Sequence, residues 1–162
     1  MKVIAGIDGG GTRTRLALVG EDGTFRAFAE GESCSFVDRG LEPARETLAR
    51  LWRAAWQQAA GPARAADALF MGLGSILSPA EARTNCELAT ALGFVRPGAV
   101  RAENDAFCAL AGGLRGRPGL LLIAGTGSAC FGRNDRGATW RAGGWGHRLH
   151  DVGSAYALGQ AA

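Results

Sequence analysis

Residues 6–19 read GIDGGGTRTRLALV. An acid, Asp8, is followed by three consecutive glycines, and Thr12 closes the run. Beyond it Arg13, Arg15 and Ala17 alternate with Thr14, Leu16 and Leu18, the period of two that marks a strand. Val3 to Asp8 also reads as a strand, so the glycines form the turn of a hairpin. That excludes two common glycine-rich loops. A dinucleotide fingerprint needs G-x-G-x-x-G opening a helix, and a P-loop needs Gly-Lys-Ser/Thr before a helix. Here the next element is a strand, and the sole lysine is Lys2.

A hairpin turn of this composition exposes backbone N–H groups. The glycines are expected to let an anion approach and to permit positive φ, and Thr12 adds a hydroxyl donor. Asp8 is misplaced against a bare phosphate but well placed if Mg²⁺ lies between them. An ordinary β-turn with glycine for geometry stays open at this point.

Outward from the hairpin, Glu21-Asp22-Gly23 is a turn signal and Thr24 to Ala29 a third strand. Leu41 to Ala60 is helical, with Pro43 in its first turn and Leu48, Leu51, Trp52 and Ala55 in one apolar stripe. Ala68 to Gly74 is a short buried strand. Ser78, Pro79 and Glu81 have the spacing of a capping box opening a helix that ends near Gly93. Val100 to Glu103 is a strand, and a helix starts at Asn104 or Asp105. Leu120 to Ala124 is the most apolar strand and is expected to be buried. Gly125-Thr126-Gly127-Ser128 then repeats the chemistry of the first turn before a strand over Ala129 to Arg133. A glycine loop, 143–147, leads to a helix over Ser154 to Gln160. The order β-β-β-α-β-α-β-α-β-β, then a loop and a helix, is α/β with a mixed sheet. Strand, Gly-Thr turn, strand occurs twice, at Asp8–Leu18 and Ile123–Arg133. The pair suggests one phosphate chain gripped from two sides.

The chain has 162 residues, 47% apolar and 20% charged, which fits a globular domain. A chain of this size buries roughly 70% of its unfolded surface. No apolar run approaches the ~20 residues of a membrane span, and Asp8 breaks the N-terminal apolar stretch, so no secretory signal is expected. The expected location is cytoplasmic, with no membrane partner. The net charge is +3, carried by scattered arginines rather than a basic patch, which argues against nucleic acid. Cys34, Cys86, Cys108 and Cys130 are far apart and are expected to be reduced, buried thiols. His147 and His150, three apart in a loop, lack a third partner for a metal, and His147 reads as structural.

Three stretches carry a resemblance: GIDGGGTRTRLAL at 6–18, AENDAFCALAGG with LLLIAGTGSACFG at 102–113 and 120–132, and GGWGHRLHDVGSAYALG at 143–159. Together they resemble N-acetylglucosamine and glucosamine kinases of the BadF/BadG/BcrA/BcrD-type ATPase family, within the actin/sugar-kinase/heat-shock-protein ATPase superfamily. The resemblance implies a ribonuclease H-like, actin-type ATPase lobe. Its mixed sheet opens with a three-stranded meander and carries helices on both faces. It implies an N-terminal lobe over 1–143, and an inter-lobe loop with the first helix of a second lobe over 144–162. The cofactors it implies are ATP and Mg²⁺, and the reaction is phosphorylation of an amino sugar.

By the same resemblance, Asp105 is the base that takes the sugar hydroxyl proton. Its place at a strand end and helix start, where an anion is favoured, agrees, although an Asp there is also a plain N-cap. Asp8 would hold Mg²⁺ through water. Gly10, Gly11, Thr12, Thr126 and Gly127 would contact phosphate oxygens. Ser35, Asn104, Asp105, Gly144, Trp145 and Asp151 would contact sugar. Ser35 stands where these kinases commonly carry Asn, and Val152 where they carry an acidic or polar residue. The family's adenosine pocket lies in the second lobe, beyond the first helix on which this sequence stops, so it is expected to be part of a longer kinase and inactive alone. A homodimer is left open. Three alternatives remain: an activator ATPase holding an iron–sulfur cluster at a dimer interface, the repressor/sugar-kinase family, and a non-catalytic sugar- or nucleotide-binding module. The repressor/sugar-kinase family usually carries a zinc motif that is missing here.

Overall fold

The computed structural model describes residues 1–146, 148–149 and 151–161. The chain packs as two compact units, Met1–Asp105 and Ala106–Ala162.

The first unit is built on a five-stranded sheet of order β3-β2-β1-β4-β5. Strands β1 (Val3–Gly9), β2 (Arg13–Gly20) and β3 (Phe25–Glu32) form an antiparallel meander. Strands β4 (Ala68–Leu73) and β5 (Val100–Glu103) add in parallel on the other edge of β1. Alternation decides which side chains face in. Val3, Ala5 and Ile7 of β1, Thr14, Leu16 and Leu18 of β2, and Ala27 and Ala29 of β3 are buried. Against that face lie α2 (Leu41–Gln58), through Leu48, Leu51, Trp52, Ala55 and Trp56, and α3 (Pro79–Ala91), through Leu88 and Ala89. Trp52 stacks on Phe94 with ring centroids 4.2 Å apart, a flat contact worth about 0.5–1.5 kcal/mol beyond its buried area. The opposite face exposes Ile4, Asp8, Arg13 and Arg15, so the helices of this unit's core cluster pack on a single face.

The helix boundaries follow their caps. Ser78 accepts the Glu81 backbone N–H at 3.3 Å, as the spacing predicts, and Glu81 Oε2 reaches back to the Leu77 N–H at 2.7 Å, one residue before the N-cap. A one-turn helix, α1 (Phe36–Arg39), was not legible from periodicity.

The second unit holds α4 (Asp105–Leu114), whose first residue closes the first unit, a three-stranded antiparallel sheet and α5 (Ala155–Ala161). The sheet order is β6 (Gly119–Ala124), β7 (Ser128–Arg133), β8 (Thr139–Gly143). Two expectations change here. The later strands form a second sheet rather than extending the first, and β8 escaped detection because its alternation spans only TWRAG, five residues that are mostly exposed. Strand β6 is not buried: it stands at the edge of its sheet with Leu120 and Leu122 more than 70% exposed. In return the repeat read at Asp8–Leu18 and Ile123–Arg133 proves longer. Both units carry a strand, a glycine turn and two further antiparallel strands.

Among the described residues no helix is long and apolar enough to cross a membrane. Cys34, in the loop after β3, is buried, and Cys86, Cys108 and Cys130 are half-buried on three different elements.

Candidate functional site

Asp8 and Gly9 end β1, and the chain reverses over the next four residues, held by the Gly10 N–H donating to the Arg13 carbonyl at 2.8 Å. None of Gly9, Gly10 and Gly11 adopts the left-handed φ expected of them. Glycine is needed here for space. A Cβ on Gly9 would stand 2.5 Å from Leu73 Cδ2 and 3.1 Å from Cys34 Sγ. At Gly11 nothing lies within 4 Å of that position, and at Gly10 only the Arg13 carbonyl at 3.8 Å, so their backbone is open to an incoming group.

That open side is a cavity lined by Asp8, Gly10, Gly11, Thr12, Arg13, Arg15 and Asp105. Five residues singled out from two distant stretches of sequence thus meet within one unit. The parallel sheet explains how. Gly9 and Gly72 lie near the carboxyl ends of β1 and β4, Glu103 pairs with Gly72, and α4 starts at Asp105 just beyond. The carboxyl ends of parallel strands are where open α/β sheets bind ligands. The Gly74 N–H donates to the Gly9 carbonyl at 2.8 Å, which ties the loop after β4 to the hairpin. A Cβ on Gly74 would stand 3.1 Å from Asp105 Oδ2. Asn104 donates its amide Nδ2 to the carbonyls of Ile76 (3.1 Å) and Gly74 (3.4 Å).

The charges form a row across three strands. Asp8 pairs with Arg15, and Arg15 with Glu30, in the sheet register. Arg15 donates from Nε to Glu30 at 2.9 Å, and its Nη1 lies 3.7 Å from Asp8 Oδ2. That bond holds the Glu30 carboxyl below its ordinary value of 4.5, and the Glu30 carboxylate raises Arg15. Asp8 itself is more than half exposed. A single exposed carboxylate beside open backbone N–H groups fits a hard cation such as Mg²⁺, which takes one or two carboxylates and fills its shell with phosphate and water.

Ser35 is not in the cavity lining. It is buried, caps α1 by accepting the Asp38 N–H at 3.3 Å, and its hydroxyl lies 2.5 Å from Asp38 Oδ2.

Thr126, Gly127, Gly144, Trp145 and Asp151 belong to the second unit. Its glycine turn is closed by the Gly125 N–H donating to Gly127 O at 2.9 Å. Asp151 is 8% exposed and accepts the Gly146 N–H at 3.2 Å. Ser128 donates to Val152 O at 2.9 Å, and the Ala155 N–H to Gly125 O at 2.8 Å, so the segment before α5 is fastened to the turn. Arg141 donates to the carbonyls of Gly143 and Gly144 and lies over the Trp145 ring, 4.9 Å from its centroid. Gly144 has φ +70, a backbone state that itself calls for glycine. Trp145 is largely exposed. His147 and His150 lie outside the described residues.

Sequence reasoning missed Arg15, which lines the cavity, and Thr14 and Ser33, whose hydroxyls support the hairpin from behind. The available signal was Thr14 itself, a hydroxyl in an inward row otherwise filled by leucine.

The sequence pattern of the BadF/BadG/BcrA/BcrD ATPase family matches residues 5–162. An N-acetylmuramic acid/N-acetylglucosamine kinase of Clostridium acetobutylicum is 32% identical over 162 residues, 98% of this chain and 51% of that protein. An N-acetyl-D-glucosamine kinase of Dictyostelium discoideum is 45% identical over 58 residues, 35% of this chain and 18% of its own length. A solved Chromobacterium violaceum protein, proposed to be an N-acetylglucosamine kinase, superposes with a TM-score of 0.73 at 35% identity, covering 99% of this chain and 55% of that one. The fold is also that of a glucokinase of the ROK family from Streptomyces griseus, TM-score 0.60 at 17% identity, covering 90% of this chain and 50% of that one. The chain therefore spans about half the length of the Clostridium kinase and of both solved structures. With an actin-type ATPase fold, and a family pattern matched from Ala5 onward, this chain belongs to the BadF/BadG/BcrA/BcrD ATPase family.

Proposed function

We propose that the protein transfers the terminal phosphoryl group of ATP to a hydroxyl of an amino sugar, N-acetylglucosamine or glucosamine. The observation that carries this is the shared cavity of Asp8, Gly10, Gly11, Thr12 and Asp105. On this reading its lining supplies hydrogen-bond donors for phosphate, an acid for a cation and a carboxylate for the base. The names of the Clostridium and Dictyostelium relatives support the sugar class.

In this reading Asp105 accepts the proton as the sugar oxygen bonds to phosphorus and the bond from phosphorus to the ADP oxygen breaks. The transition state is loose, so the oxygen becomes acidic late, and an ordinary carboxylate suffices. The N–H groups of Gly11 and Thr12 and the Thr12 hydroxyl hold phosphate oxygens. Thr126 and Gly127 do the same from the second turn. Asp8 holds Mg²⁺ through water, and Mg²⁺ supplies neutralisation of the phosphate charge. Gly144, Trp145 and Asp151, and in the first unit Ser35 and Asn104, are assigned to sugar binding. Residues 1–143 and 144–162 then belong to successive lobes of one kinase.

The test is Asp105→Asn in the protein as expressed from its gene. Transfer from ATP to N-acetylglucosamine and glucosamine is expected to fall at least 10²-fold, the scale of a lost general base. Calorimetric sugar affinity should stay within about twofold of the parent, a difference well under 1 kcal/mol. Near-normal turnover by the variant, or no transfer by the parent, would overturn the assignment.

A further inference from the structure

Two buried hydroxyls behind the cavity join the loop after β3 to the first glycine hairpin. Thr14, fully buried on β2, accepts the Cys34 backbone N–H at Oγ1, 2.8 Å away. Ser33, also buried, donates its Oγ to the Gly10 carbonyl at 2.8 Å and accepts the Ser35 N–H at 3.2 Å. Between them the Cys34 side chain packs over Gly9, where a Cβ would come within 3.1 Å of Sγ. Residues 33, 34 and 35 are thus fastened in turn, to the hairpin or to one another. Ser35 passes the constraint on as the cap of α1.

The chemistry at these positions is unexpected for packing alone. The inward row of β2 runs Thr14, Leu16, Leu18, and valine at 14 would serve the strand as well. A buried hydroxyl is costly unless it is bonded, and both are bonded across the same seam. The Ser33 bond also has a direction. A trans peptide points its C=O and the next N–H to opposite sides, and no peptide in this chain is cis. Drawing the Gly10 carbonyl towards Ser33 therefore turns the Gly11 N–H away from it, to the open side where Gly10 and Gly11 line the cavity.

We propose that Thr14 and Ser33 are positioning residues that make the hairpin and the 33–35 loop one element, so that phosphate held at the hairpin and substrate held beside the loop are bound cooperatively. This rests on the kinase reading above. Neither residue lines the cavity.

The test compares Thr14→Val, Thr14→Ser and Ser33→Ala with the parent. Hydrogen exchange of the unliganded protein comes first, since it needs no activity. Thr14→Val and Ser33→Ala should each speed exchange at Cys34–Phe36 and at Gly10–Thr12 together, with Thr14→Ser near the parent. Deprotection confined to one of the two segments overturns the proposal. In kinetics with ATP and N-acetylglucosamine, Thr14→Val should raise both KM values about five- to tenfold, the scale of one buried hydrogen bond. Thr14→Ser should restore both. A rise in the ATP KM alone, or in neither, also overturns it. If Thr14→Val does not fold, Ser33→Ala carries both measurements. If the parent transfers no phosphate, the kinase reading fails, and the exchange experiment still decides whether the seam exists.

Discussion

Asp151 presses its carboxylate against Gly127: a Cβ on that glycine would stand 2.6 Å from Oδ2. The same carboxylate accepts the Gly146 N–H, so it cannot swing away without giving up that bond. Gly127→Ala should therefore cost about 1–3 kcal/mol, the usual range for overpacking. Urea denaturation of parent and variant measures it. Adding Asp151→Ala should recover part of that loss, because the clash partner is gone. A double variant no more stable than the additive sum of the single ones would contradict the geometry.

Asp8 and its neighbour Arg15 make opposing predictions for metal dependence. Asp8→Asn should raise the Mg²⁺ concentration for half-maximal transfer by about tenfold or more, the effect of losing one charged ligand contact of ~1.5–3 kcal/mol. Arg15→Gln removes a competing cation 3.7 Å away and should lower that concentration. Both side chains are about half exposed, so the second effect should stay within about 1 kcal/mol, or fivefold. Magnesium titration of initial rates separates the two.

The capping box at α3 gives a pH prediction. The Leu77 N–H, then Ser78, hold the Glu81 carboxyl below its ordinary 4.5. A depressed folded value means that the unfolded chain takes up the proton first. The contribution is therefore whole above pH 4.5 and is lost as pH falls through the folded value. Melting temperatures of Glu81→Gln should track the parent's shape from pH 7 to about 5, offset downward, and show a shallower fall below it. Cys34 acts at the other end. Burial raises its thiol above 9.0, so its contribution is whole below pH 9 and is lost as pH climbs further. Cys34→Ala should flatten that alkaline limb.

Much of this was legible because strand alternation is local. Val3, Ala5 and Ile7 announce their face of β1 wherever the strand ends up. The glycine turns, the Ser78 cap and Asp105 were readable because short motifs fix their own backbone. The partition of strands into two sheets was not readable, since pairing is set by contacts far apart in sequence. Leu120 to Ala124 misled for the same reason: an apolar strand implies a cover, but not where the cover comes from. The hairpin turn was readable from its glycines, but the reason for Gly9 was not: a Cβ there would meet Leu73 and Cys34, which no local pattern reveals. Thr14, in a strand, and Ser33, in the loop after β3, lay hidden because a hydroxyl gains meaning only from its partner.

The two meanders differ from the rest of the sheets in how far apart their partners lie along the chain. Pairing β1 with β2 or β6 with β7 closes a turn of a few residues, an event of roughly 1–10 μs. Pairing β1 with β4 requires Ile4 to find Ala68 across the whole segment that carries α2, a much longer loop. The glycine hairpins should thus be among the earliest structures in the folding chain. The cavity beside the first can close only when β4 and β5 arrive and bring Asp105 with them.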